Sequence, residues 1–225
     1  MIMSIRKTEE AGYAQALHGL GLPHGSTSRV SPEEVARLLA AGPGGDTLGG
    51  KLARTSVRCA ALGGGHESFL ELIQTWWLVK APLFYWRQMD RYRMKSQISE
   101  STMHTLRARP LTHDDFSHRL PECVLAAVNG ALADDAVDIE ELSAVLPNGY
   151  LQQRALCMNY RELASVLSQR RHHRLGAWRT FVEEAIKQVD HPELLAYTAW
   201  RENRESDAVM IADKMLAALG NIQPA

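Results

Sequence analysis

Basic and hydroxyl-bearing side chains crowd one stretch of this chain: Arg87, Gln88, Arg91, Arg93, Lys95, Ser96, Ser99 and Ser101. A second set follows, Asn159, Arg161 and the run Arg170 to Arg174. Guanidinium forks, hydroxyls and amides are the donors that hold phosphate-bearing ligands, because they match the anion's charge and its several acceptor oxygens. Each cluster also has a plainer reading. The first fits a solvated basic face, and the second a helix C-terminus, where cations offset the dipole. The first set directly follows a strongly apolar stretch, which favours a ligand over bare solvent. The helix-end reading covers Arg171 and Arg174 but leaves Asn159 and Arg161 unexplained.

Any anion site must be local. Lysine plus arginine number 25 against 26 aspartate plus glutamate, so there is no basic field for duplex binding and no nucleic-acid partner is expected. Cys59, Cys123 and Cys157 are widely separated and lack CxxC spacing, which argues against a disulfide framework or a zinc site. His172 and His173 are adjacent rather than a helical turn apart, so no metal is expected. His66 follows three glycines, where backbone can approach a ligand closely; its plainer reading is a loop histidine. The first residues lack the apolar core of a signal peptide, and Leu70 to Trp86 is interrupted by Glu71, Gln74 and Lys80. A soluble, cytoplasmic protein without a membrane partner is the expectation.

Elements must position these groups. After a helical start, Ser31-Pro32-Glu33-Glu34 reads as a capped helix, and a glycine-rich loop follows from Ala41 to Gly50. The fold is expected to resume near Leu52. Ile73 to Lys80 reads as a buried strand, and Pro82 as the start of a helix carrying LFYWRQMDRYR, on which Gln88 and Arg87 would share a face with Arg91. Ser96 to Thr102 reads as a loop and Arg107 to Arg119 as a surface excursion or lid. Helices are expected over Glu122 to Leu132, Ile139 to Val145, Gln152 to Gln169, Gly176 to Val189 and Pro192 to Leu219.

With these residues in place, a resemblance becomes specific. The stretch HESFLELIQTWWLVKAPLFYWRQMDRYRMKSQISES, from His66 to Ser101, resembles the central block of the flavin-dependent thymidylate synthases. That block runs from a histidine through an apolar strand, K-A-P, R-Q and R-H-R to a serine. A second block, LPNGYLQQRALCMNYRELASVLSQR, is similar to the family's L-P, N-x-R and closing arginine, in register at Leu146-Pro147, Asn159, Arg161 and Arg170. Two blocks in the right order carry more weight than one short motif.

The resemblance implies an α+β fold, helix-rich around a central antiparallel-type sheet. It implies one domain over residues 1–225, with a divergent segment at 1–50, a core at 52–190 and a C-terminal helix at 191–225. It implies FAD held by His66, Glu71, Arg91, Tyr92, Arg93, Asn159, Arg161 and Ser165, where Tyr92 replaces a family histidine and Ser165 a family asparagine. Gln88, Ser99 and Ser101 would contact a pyrimidine nucleotide, and Arg170 would grip its base as the catalytic arginine. NADPH and methylenetetrahydrofolate are the implied co-substrates, in a homotetramer whose sites are shared between subunits.

The chain also departs from the family pattern. Ser101 is followed by Thr102-Met103-His104, where the family has an arginine that grips the nucleotide phosphate. Ser143 stands for another arginine, while Ile98 and Ser99 replace polar positions of the motif. Lys95, Arg107 or Arg109 are the expected substitutes for the missing cations.

Overall fold

The computed structural model describes residues 3–42 and 46–195. Its centre is a four-stranded sheet, β1 (Ser4–Ala11), β2 (Gln74–Pro82), β3 (Lys95–Ser99) and β4 (Leu151–Asn159), in the order β1-β2-β4-β3 with every pair antiparallel. Around it are α1 (Tyr13–Gly21), α2 (Pro32–Ala40), α3 (Leu48–Leu62), α4 (Leu83–Met89), α5 (Thr102–Thr105), α6 (Glu122–Ala133), α7 (Ile139–Val145), α8 (Tyr160–Arg170) and α9 (Gly176–Gln188). The expected helix-rich α+β class with an antiparallel sheet is the class observed.

The interior strand β2 explains the register. Thr75, Trp77, Val79 and Ala81 alternate into the core, as a strand's period of two requires. The Thr75 hydroxyl donates to the Met158 carbonyl of β4 at 2.8 Å and accepts from the Trp77 indole at 2.7 Å, so the one buried hydroxyl of this face is satisfied. Trp77, Tyr85, Trp178 and Phe181 pack together beneath the sheet, with Tyr85 and Trp178 ring centroids 4.4 Å apart. A second apolar cluster, separate from this core, gathers Leu106, Leu111, Phe116, Val128, Leu132, Leu142 and Tyr150.

Several expectations require correction. The start of the chain is a strand, since Ser4–Ala11 gains a backbone partner only when β2, some 70 residues later in sequence, lies beside it. Gly49 and Gly50 belong to α3 rather than to a loop. A Cβ at Gly49 would lie 2.7 Å from the Leu38 carbonyl oxygen, so glycine there permits close packing on α2. Helix α4 ends at Met89, so Arg91 lies beyond it and the shared face with Arg87 and Gln88 does not exist.

Ser96 to Thr102 is mostly strand. β3 is an exposed edge whose side chains give no apolar alternation to read. The long helix from Gln152 is instead β4 up to Asn159, held between β2 and β3, and only then α8, where the Asn159 side chain accepts from the Glu162 amide at 2.8 Å. Residues 107–119 are a largely exposed surface connection, as expected, pinned by Leu111 and Phe116 in the second cluster. The Ser31 cap is as expected, its side chain accepting from the Glu34 amide at 3.2 Å. Pro192–Leu194 forms a single 3₁₀ turn, and the rest of the expected last helix lies outside the described residues. Among the described residues no helix is long and apolar enough to cross a membrane.

Candidate active site

The end of α4, the end of α8 and the start of α9 converge on Arg170. Its Nε donates to the Tyr92 hydroxyl at 2.8 Å and its Nη1 approaches Gln88 Oε1 at 3.4 Å. The guanidinium lies 4.6 Å from the Trp178 ring and 5.5 Å from the Tyr92 ring, so stacking holds its plane as well as its position. The Trp178 indole donates to Gln88 Oε1 at 2.9 Å. That bond fixes the amide's orientation: the oxygen faces two donors, which leaves the Gln88 amino group as the donor available to a ligand carbonyl.

The relay continues from Tyr92. Its hydroxyl donates to Gln169 Oε1 at 3.0 Å, and the Gln169 amino group donates to Ser165 Oγ at 3.1 Å. Tyr92 is buried, and burial raises its pKa against the opposing pull of the Arg170 cation, so the phenol stays protonated and can donate. Beneath it the Tyr85 hydroxyl is buried without a hydrogen-bond partner among the described residues. Thus Ser165 and Tyr92, expected on the cofactor side, are wired to Arg170 and Gln88, expected on the substrate side.

A second group forms where the 3₁₀ segment His66–Leu72 meets the first turn of α8. The Arg161 Nη1 pairs with Glu71, and its Nη2 lies 3.8 Å from the buried carboxylate of Glu67. Gly65, at φ 101°, takes a left-handed turn that a side chain would strain, and its amide donates to Glu67 Oε2 at 2.9 Å. His66 follows it, exposed. Glu67, Arg161, Ser165, Ser168 and Gln169 line a cleft of about 240 Å³. Arg91 and Arg93 are exposed, their side chains without partners among the described residues.

Asn159 is brought near this group but its side-chain oxygen serves as the α8 cap. Ser99 and Ser101 lie elsewhere, at the end of β3 and the start of α5, where Ser101 Oγ meets His104 Nδ1 at 2.9 Å. Of the expected substitute cations, Arg109 forms a two-pronged pair with Asp115 at 2.8 and 2.6 Å, and Arg107 bonds Asp135 at 3.3 Å and the Val137 carbonyl. Both are committed to the second apolar cluster's loops. The Lys95 side chain is only 5% exposed, and burial lowers its pKa.

Sequence reasoning missed Glu67, Gln169 and Trp178. Gln169 had one signal, its i+4 spacing from Ser165 on a helix; Trp178 had none, since a buried tryptophan reads as core. The three cysteines line neither the Arg161 cleft nor the Arg170 cluster, and burial raises the thiols of Cys59 and Cys157.

The fold is one that solved flavin-dependent thymidylate synthases share. A crystal structure of thymidylate synthase X from Helicobacter pylori with FAD and dUMP superposes with a TM-score of 0.67 at 16% identity, covering 88% of this chain and 99% of that one. A UMP/dUMP methylase, PolB, from Streptomyces cacaoi bound with 5-Br dUMP gives 0.58 at 18% identity, covering 85% and 93%. No curated protein matches the chain. The family described as thymidylate synthase complementing protein matches residues 44–191, more than half of the sequence. The chain belongs to that family and so to the flavin-dependent thymidylate synthase-like methyltransferases.

Proposed function

We propose that the chain carries out FAD-dependent reductive methylation at C5 of a pyrimidine nucleotide, dUMP in the first instance, with methylenetetrahydrofolate as carbon donor and NADPH as reductant. The observation that carries this reading is the hydrogen-bonded relay Ser165, Gln169, Tyr92, Arg170, Gln88 and Trp178, which joins cofactor-side to substrate-side groups. The donor set fits FAD: Arg91, Arg93 and Arg161 offer cations for its phosphates, and Ser165 and Ser168 line the adjoining cleft.

When bound, FAD supplies a reversible hydride carrier. The chain's own contribution is positioning and charge. Arg170, clamped by Tyr92 and Trp178, is a preorganised cation that favours negative charge developing on the pyrimidine. The Gln88 amino group is aimed by the bond from Trp178 to its oxygen and can donate to a base carbonyl. No thiolate is placed to attack the ring.

A homotetramer with shared sites is part of the proposal. Arg161 and Arg170 are about two and a half helical turns apart and so leave α8 on opposite sides. One chain thereby offers cofactor donors on one side and the base-gripping arginine on the other. Residues 1–225 acting as one domain, in the cytoplasm, complete the reading.

A second substrate, UMP or dCMP, with methyl or hydroxymethyl as product, is favoured by one observation. Thr102 and Ser143, at or beside the places where the family pattern has arginines, line one cleft, so the nucleotide is held differently here. The test is FAD uptake by the purified protein, followed by mass analysis of products from dUMP, UMP and dCMP with NADPH and methylenetetrahydrofolate. A yellow protein that transfers one carbon to one of them is expected. A preparation that refuses added FAD would sink the proposal, and one that binds FAD but modifies no nucleotide would leave a binding protein without turnover.

A further inference from the structure

We infer that Arg154 and Arg87 form the phosphate-monoester subsite of the nucleotide pocket, an assignment that rests on the proposed function and extends it. Both arginines line a cleft of about 310 Å³ with Trp86, Asp90, Thr102, Ser143 and Gln152. A cleft of this size is within the range that holds small ligands.

Arg154 is built into place. Its guanidinium lies 4.5 Å from the Trp86 ring, its Nε donates to Gln152 Oε1 at 3.0 Å, and its Nη1 donates to Asp90 at 2.9 Å and Gln97 at 3.3 Å. The side chain is 13% exposed, and its Nη2 has no partner among the described residues. An arginine stacked on tryptophan and oriented by three acceptors loses little freedom when it binds an anion. Arg87 is exposed on the last turn of α4 and has no partner among the described residues. The hydroxyls of Thr102 and Ser143 complete a set of donors suited to a tetrahedral anion.

One group opposes an anion, the Asp90 carboxylate. It already faces Arg154 at 2.9 Å and, outside the lining, Lys95 at 3.8 Å, and with Arg87 the lining holds two cations to one carboxylate. The balance favours a doubly charged phosphate over a neutral ligand.

The test compares a nucleoside monophosphate with its own nucleoside on the FAD-loaded protein, by calorimetric titration of dUMP and deoxyuridine, with UMP and uridine alongside. Arg154→Gln and Arg87→Gln should each weaken the monophosphate about 10- to 100-fold while leaving the nucleoside unchanged. Arg154→Lys should restore part of the loss, and Arg107→Gln, at a cation committed to Asp135, should change nothing. Arg87 is exposed and unpaired, so its variant keeps the test valid if Arg154→Gln fails to take up FAD. An unaltered monophosphate-to-nucleoside ratio in Arg87→Gln and in each FAD-loaded Arg154 variant would overturn the assignment and leave the proposed function standing. A protein that loads FAD but binds no pyrimidine nucleotide would overturn both. Weakened methylenetetrahydrofolate binding with unaltered dUMP would instead give the cleft to the folate's carboxylates, and would also overturn it.

Discussion

The Tyr92 hydroxyl accepts a hydrogen bond from Arg170 Nε at 2.8 Å while donating to Gln169 at 3.0 Å, so the tyrosine orients the proposed catalytic arginine. Tyr92→Phe keeps the ring beside Trp178, with centroids 6.1 Å apart, and removes only the oxygen. Two hydrogen bonds would be lost, one of them to a charged group, at a cost of about 1 to 3 kcal/mol in urea unfolding. Turnover should fall about tenfold with FAD affinity little changed, because the ring still supports the site while Arg170 is free to move. Equal loss of FAD binding and turnover would place Tyr92 on the cofactor instead.

Arg161 allows stability and binding to be separated. Its partner Glu71 is 44% exposed and Arg161 itself 45%, so the pair contributes little to folding. Arg161→Gln also removes the cation 3.8 Å from the buried Glu67 carboxylate, so it should shift unfolding by about 1 kcal/mol. Under the proposed cofactor role it should weaken FAD about 10- to 100-fold, read from flavin fluorescence during titration. Unchanged FAD affinity would remove Arg161 from the cofactor site.

Asp115 gives a pH dependence. The two-pronged Arg109 contact holds its carboxyl well below the usual range, at about 2, helped by the Thr112 amide. A depressed folded-state pKa means the stabilisation is complete above the unfolded value near 3.8 and is lost as pH falls through about 2. The carboxylate side is 9% exposed but Arg109 is 59% exposed, so solvent screening reduces the contribution to about 1 to 2 kcal/mol. Acid unfolding followed by circular dichroism should show that loss between about pH 4 and pH 2. Asp115→Asn should remove it at neutral pH and flatten the acid limb.

Legibility followed the range of the interactions. The Ser31 cap and helices α6, α7 and α9 depend on neighbours in sequence, and β2, though its backbone partners are distant, announces itself by an apolar, β-branched and aromatic run, so local patterning finds them. β1, β3 and β4 were misread because each takes its backbone partners from far along the chain. An edge strand such as β3, exposed along most of its length, has no apolar face to betray it. Glu67 and Trp178 joined the site only through contacts made in three dimensions.

The stretch from His66 to Ser101 and the block ending at Arg170 determined by themselves the family, the sheet-and-helix class and a set of candidate residues, since a motif's order and spacing are properties of the chain. Tertiary structure decided how those residues are held. Pairing of β4 between β2 and β3 places Asn159 at the head of α8, and packing of α8 against α9 brings Arg170 onto Trp178. It also committed Arg107 and Arg109 elsewhere and placed Arg154 and Arg87 around one cleft. Side-chain partners depend on distance and burial, which residues far apart in sequence acquire only when the chain has folded.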